Sequence, residues 1–546
     1  MANSTLQQNS TSSGILLKNG LIADGTGRKP YPGHLLIKDG KIDEISSGNI
    51  ETPAEVIDCS GNVIAPGFID VHSHNDWRLP IIGRDDLKQP FVAQGITTFI
   101  GGNCGFAPAG FKKNTVYRDR IADNFFKTDL FHPDLDSMED YFTRLEQNGL
   151  SHNLAMLAGH GSTRTSIRGF DPSPLAGDEM KEMLYLLEEA LDQGARGVSF
   201  GLQYEPGIFA TSEEIESVAE LLKSKNKILA VHLKAYTTYS PAYPFRPFSE
   251  PHNILALSEM IDVAGKTGVR LQVSHLIFVG KKTWKSCQRA VDLIGQAVDR
   301  GVDVGFDIIS YHCGVGPISV LLPKWFLENF PETMSSKNAL LKLRFQIYAM
   351  EKLLGIGYDD IQIVDMPDSR LAQYNGLSAS EIARRRGMKP FDNLMDIVGK
   401  TSGLARVMLH QYNNSEINEI LIKSPVSLFM TDAWMELSGI QNPHCYGALP
   451  RLLQLIREKN LIPLEEAVYK MTGAAAERFG LSDRGVLENG KAADITVMKW
   501  DEIQDNNSPG SEYLPPSGIR HVFINGKLVF YNGKINGPLD SGAVLR

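Results

Sequence analysis

The sequence predicts an α/β protein: a (β/α)8 TIM-type barrel, a small β-sandwich domain built from both chain termini, and an insertion over the barrel mouth. Three observations carry this. Eight apolar, β-rich runs recur along the middle of the chain, several of them separated by amphipathic stretches of helical period. Both ends are instead written as short strands broken by Asn-Gly and Asp-Gly pairs, which supply the positive φ angles of tight hairpins. Runs apolar on both faces and alternating with helices mark parallel βα units, and eight of them fit a closed barrel better than an open sheet.

Taken in order, residues 1–13 are polar, with no apolar h-region, and are expected to form a disordered tail without a signal peptide. Strands punctuated by Asn19-Gly20 and Asp39-Gly40 follow, and the same style returns at Asn489-Gly490, Asn525-Gly526 and Asn532-Gly533. Residues 14–62 and 476–546 are therefore assigned to one small β domain. The barrel is assigned to 63–475. Its eight runs are Val63–Val71, Ile96–Gly101, Leu154–Leu157, Gly197–Phe200, Ile228–Val231, Arg270–Val273, Val304–Ile309 and Val426–Met430. Helices are expected at Asp178–Gln193, Ser212–Ser224, Ile254–Thr267 and Thr283–Asp299. Residues 313 to about 406 hold far more than a loop, with helical patterns near Asn338–Leu354 and Ser378–Arg386, and read as an insertion.

Composition narrows the function classes. With 546 residues, 42% apolar and 22% charged, the chain is an ordinary globular one, so disorder as its main state is excluded. A net charge of −9 and the lack of a basic stripe argue against nucleic acid as a partner. No apolar run reaches the ~18 residues of a membrane span. Five scattered cysteines make no disulfide framework, so a reducing cytoplasm is the expected location. A small-molecule amide substrate is the expected partner, and a homo-oligomer is left open.

Chemistry in a barrel collects at the C-terminal ends of the strands. Here the first run ends in Asp70-Val71-His72-Ser73-His74, and alternate residues of a strand share a face. The second leads to Cys104, the fifth to His232, the sixth to His275 and the last to Asp432. Singly, each has an ordinary explanation: a satisfied polar residue, a buried thiol or a helix cap. Six of them at the same end of βα units point to a metal site, and imidazole, thiolate and carboxylate suit zinc. His34, His132, His152, His252 and His521 have no such placement.

Gly67-Phe68-Ile69-Asp70-Val71-His72-Ser73-His74 resembles the first-strand motif of the metal-dependent amidohydrolase superfamily. Gly102-Asn103-Cys104-Gly105 is similar to the N-acyl-D-amino-acid deacylase (D-aminoacylase) family within it, as are Gly159-His160-Gly161-Ser162-Thr163-Arg164, Gly201-Leu202-Gln203-Tyr204 and Ser274-His275-Leu276. The resemblance implies a tightly held zinc on Cys104, His232 and His275, and a second, weaker site that adds His72 and His74 and shares Cys104. It implies Asp432 as the catalytic aspartate, taking a proton from water and returning it to the leaving nitrogen, and Tyr204 as a substrate contact. His160 or Tyr204 would steady the oxyanion. The fourth run, Gly197–Gly201, has no lysine to bridge two metals, which agrees with Cys104 in that place.

The departures concern the substrate. The family's carboxylate-binding Lys, Tyr, Ser and Arg fall here on Ile277, Ile309, Val315 and His444. Apolar side chains cannot repay the desolvation of a carboxylate. The expectation is a zinc-dependent hydrolase of a linear amide whose substrate lacks that group or presents it elsewhere. Arg164, Lys234 and His444 remain candidate anion partners. Three alternatives stand beside it: an ordinary deacylase with a rebuilt clamp, a cyclic-amide hydrolase and a catalytically dead scaffold.

Overall fold

The computed structural model describes residues 14–122, 126, 129–244, 249–327, 329–507 and 513–546. The expected tail at 1–13 lies outside them. Eight parallel strands form the barrel sheet in sequence order: Phe68–Asp70, Ile96–Gly101, Asn153–Gly159, Gly197–Gly201, Ile228–His232, Arg270–Val273, Val304–Ile308 and Ser427–Phe429. Their residues are almost uniformly buried, as expected of strands covered on both faces. The seam between the first and eighth strands is crossed by the Asp432 N–H donating to the His72 carbonyl (2.9 Å). Thr431 reinforces it, its N–H (2.9 Å) and hydroxyl (2.6 Å) both donating to Asp70.

The helices follow from period and caps. Gly177–Asp192 buries Met183, Leu186, Leu187, Ala190 and Leu191, the spacing of one helical face. Ser212–Ser224 starts at Thr211, whose hydroxyl accepts the Glu214 N–H. No helix among the described residues is long and apolar enough to cross a membrane.

The run Val63–Val71 proves to be two strands. Val63–Pro66 pairs antiparallel with Ile495–Met498 in a separate sheet, and only Phe68–Asp70 enters the barrel. That separate sheet has nine strands, five from Ile15–Pro66 and four from Ile495–Ile535. It is one continuous sheet that curls until Lys41 bridges Ala492, around a core that includes Leu17, Leu35, Ile64, Ile495 and Phe523.

The segment from Cys313 closes on itself as a three-stranded antiparallel sheet, Cys313–Pro317 against Arg406–His410 against Ile361–Asp365. The helices Lys337–Leu354, Ala379–Arg385 and Pro390–Lys400 go with it, and residues such as Ile318, Phe326, Ile363, Leu394 and Val407 form a core of their own. The expected end near 406 falls at the start of the returning strand, because Arg406–His410 must pair back on Cys313–Pro317. The segment meets the mouth where Ile440 N–H donates to the Val364 carbonyl (3.0 Å), and Val315 packs with the mouth aromatics around Trp434.

Candidate metal centre and active site

The strand ends bring the six singled-out side chains into one cluster. Cys104 Sγ lies 3.3 Å from His72 Nε2, 3.5 Å from His275 Nε2 and 3.7 Å from His232 Nδ1. His232 Nδ1 and His275 Nε2 are 3.0 Å apart. Asp432 Oδ1 lies 3.5 Å from His72 Nε2 and 3.4 Å from His74 Nε2. Two donor groups result, His72–Cys104–His275 and His72–His74–Asp432, each with its ligand atoms within 4.8 Å of one another. They overlap in His72.

Several imidazole nitrogens and a sulfur converging this closely would repel as lone pairs unless a cation or shared protons lay between them. Nitrogen and sulfur donors with a nearby carboxylate fit zinc. Burial opposes a charged Cys104, yet His72, His232 and His275 outweigh it and hold the thiol well below its usual range. Burial likewise opposes an ionised Asp432, but His74, His275 and His72 hold its carboxyl below the usual carboxylate range. Burial and the neighbouring His275 push His232 down to about 4, so its ring is a neutral donor at ordinary pH.

Three of these residues have left-handed backbone: Cys104 (φ +57°), His275 (φ +32°) and Asp432 (φ +50°). Such angles are uncommon for residues with a Cβ and persist only where the surroundings impose them. At Cys104 the surroundings are explicit. The Ser199 hydroxyl donates to the Gly102 carbonyl and accepts the Gly105 N–H (2.8 Å), clipping the loop at both sides of the cysteine. Tyr204 Oη donates to the Cys104 carbonyl (2.9 Å). Gly102 itself tolerates no side chain, because a Cβ there would lie 1.9 Å from the Leu157 carbonyl oxygen. His232 Nε2–H donates to Gln203 Oε1 (2.9 Å), which turns Nδ1 toward Cys104.

The other singled-out residues divide. Tyr204 stays at the site, its ring 4.7 Å from that of His232. His160 does not turn toward the cluster: Nε2–H donates to Glu214 (2.7 Å), and the ring stacks on Phe200 at 3.9 Å. Arg164 joins the same buried carboxylate, 3.4 Å from Glu214, and donates to the carbonyls of Asp171 and Ser173. Lys234 lies 3.3 Å from Glu259 and over the Tyr243 ring. Ile277 and Ile309 are packed into the apolar barrel core. His444 Nδ1–H donates to Asn442 Oδ1 (2.6 Å), Nε2 accepts the Tyr311 N–H (3.4 Å), and burial pushes the ring down to about 3. His444 is therefore a neutral imidazole at ordinary pH.

The amidohydrolase family model matches residues 424–530. D-aminoacylase of Alcaligenes xylosoxydans xylosoxydans is 27% identical over 97% of both chains. N-acyl-D-glutamate deacylase of the same organism is 28% identical over 94% of this chain and 93% of its own. The solved N-acyl-D-glutamate deacylase from Bordetella Bronchiseptica, complexed with zinc and a phosphonate inhibitor, superposes with a TM-score of 0.78 at 26% identity, covering 98% of this chain and 100% of that one. Along nearly its whole length the chain is similar to the D-aminoacylase family of amidohydrolases. It is a metal-dependent hydrolase of carbon–nitrogen bonds in amides other than peptides. A solved D-aminoacylase at 23% identity has the same fold, with a TM-score of 0.77 over 97% of this chain and 99% of its own. Of the two residues that steady the donors, Gln203 lies in the Gly201-Leu202-Gln203-Tyr204 stretch, whereas Ser199 carries no motif of its own. The readable signal for Ser199 is a hydroxyl inside an otherwise apolar, glycine-flanked strand.

Proposed function

We propose that the protein is a zinc amidohydrolase that deacylates a linear N-acyl amine or N-acyl amino acid. The observation that carries this is the convergence of Cys104, His232, His275, His72 and His74 beside Asp432. Cys104, His232 and His275 would hold the tight ion; His72 and His74, sharing Cys104, would hold a weaker one. When bound, zinc supplies a lowered pKa for water, near 7, and a Lewis acid for the amide carbonyl.

The chain's own residues do the rest. Asp432, ionised and with its side chain 24% exposed, accepts the proton of the attacking water and returns it to the departing nitrogen, because an amine leaves an amide only when protonated. Tyr204, whose phenol burial keeps protonated, holds a hydrogen at the cluster and orients the Cys104 carbonyl. His160, committed to Glu214, is assigned no oxyanion role.

The preferred substrate is assigned no α-carboxylate on its amine side. Ile277 and Ile309 offer no charge, His444 is neutral, and Arg164 and Lys234 already face Glu214 and Glu259. A second reading, an ordinary N-acyl-D-amino-acid deacylase, is favoured by the relatives' printed activities. Parallel assays of N-acetyl-D-amino acids and their uncharged amides or esters separate the two. Higher kcat/KM on the uncharged series supports the first reading, and strong preference for the free acids the second. All five cysteines are unpaired, which supports a reducing compartment such as the cytoplasm.

A further inference from the structure

We infer that Asp307 is a positioning residue that sets both donor groups at once, by fixing the backbone of His275 and the ring of His72. Asp307 belongs to the seventh barrel strand, is 1% exposed and is a member of neither donor group. Its Oδ1 accepts the His275 N–H at 2.6 Å, and its carbonyl accepts the next N–H, of Leu276, at 2.8 Å. One residue therefore clips the peptide at which His275 takes its left-handed φ of +32°.

The same Oδ1 lies 3.4 Å from His72 Nδ1. That nitrogen is buried, and among the described residues no hydrogen bond of good geometry reaches it. A carboxylate beside Nδ1 favours the proton there, which leaves Nε2, the nitrogen facing Cys104 and Asp432, as a lone-pair donor. His275 enters one donor group and His72 both, so a single carboxylate governs the two.

Asp307 is itself held from below. Gln272 Nε2 donates to Asp307 Oδ2 (2.9 Å), while Gln272 Oε1 accepts from Arg478 Nε (3.0 Å). Arg478 also pairs with Asp303 and donates to the Leu271 carbonyl. This chain of donors runs from a helix near the C-terminus, Gly473–Phe479, through the barrel interior to the ring of His72. Each link fixes the acceptor above it, so the carboxylate meets both imidazole residues without a rotamer search.

The inference rests on the zinc reading above, and the test keeps the two apart. Zinc affinity of the full-length protein is measured by competition with a chromophoric chelator, together with the Tm of the metal-free form, for wild type, Asp307→Asn and Gln272→Met. Wild-type protein that binds no zinc defeats the zinc reading itself. If it binds, Asp307→Asn is expected to weaken zinc roughly 10–100-fold, the range for outer partners of metal-binding histidines. Gln272→Met is expected to shift affinity in the same direction by less. Unchanged affinity in Asp307→Asn overturns the inference; if that variant does not fold, unchanged affinity in Gln272→Met overturns it. A loss that only tracks a lowered metal-free Tm, with intact affinity per folded molecule, also overturns it.

Discussion

Asp432 donates its backbone N–H to the carbonyl of His72 at 2.9 Å, across the seam where the first and eighth strands meet. The proposed proton carrier is thus fixed to the backbone of a proposed metal ligand, and its carboxylate sits 3.5 Å from that ligand's ring. Position comes from the backbone and chemistry from the side chain, so the two can be separated by mutation. Asp432→Asn is expected to keep the tight zinc while losing about 10²–10⁴ in kcat, the usual worth of general acid–base catalysis. Metal content and single-turnover rates on the best amide substrate check this; an active variant removes Asp432 from the proton path.

Ser199 clips both flanks of Cys104 from the interior of the fourth strand. Ser199→Ala leaves a buried carbonyl and a buried N–H without that partner, which is expected to cost about 1–3 kcal/mol in urea unfolding. The metal-loaded form should lose zinc more readily as well, because the cysteine's left-handed backbone loses a restraint.

Ile277, expected from the sequence at the place of the family's lysine, is 5% exposed. Ile277→Lys is expected to raise the ratio of kcat/KM for N-acyl-D-amino acids to that for the matching amides by about tenfold, equivalent to ~1.4 kcal/mol of new charge pairing. It should also lower Tm, since without substrate an ammonium would be buried there unpaired. An unchanged ratio would show that this position does not face the amine side of the substrate.

His152 is fully buried beside Phe99, and burial, then Lys88, pushes it down to about 3. The unfolded ring takes a proton below its ordinary value of 6.5, whereas the folded one stays neutral, so this group lowers stability as pH falls through that interval. Between pH 7.5 and 5, wild type should lose about 2 kcal/mol more than His152→Asn, at 1.36 kcal/mol per pH unit. Urea titrations of the metal-free proteins at both pH values measure the difference.

Much of the barrel is legible because its strands are short apolar runs with helical patterns between them. The helix at Ser212–Ser224 coincides with its sequence pattern. The site was readable because strand alternation places His72 and His74 together and because Cys104, His232, His275 and Asp432 follow other strands. The split of Val63–Val71 was signalled only by Pro66-Gly67, where the chain leaves one sheet for another. Arg406–His410 escaped notice because it begins and ends in polar residues and its partners are remote in sequence. Pairings such as His160 with Glu214 depend on which way a buried ring turns, and no local pattern encodes that.

The partnership of Val63–Pro66 with Ile495–Met498 bears on how the molecule is made. At translation rates of ~5–20 residues per second, the roughly 430 residues between these strands take about 20–90 s to emerge. Throughout that interval the early strands present an open hydrogen-bonding edge, the kind of surface that recruits foreign chains. Ribosome-bound intermediates should therefore be the aggregation-prone species, and a chaperone that shields this edge during synthesis should raise the yield of active protein more than one added after release.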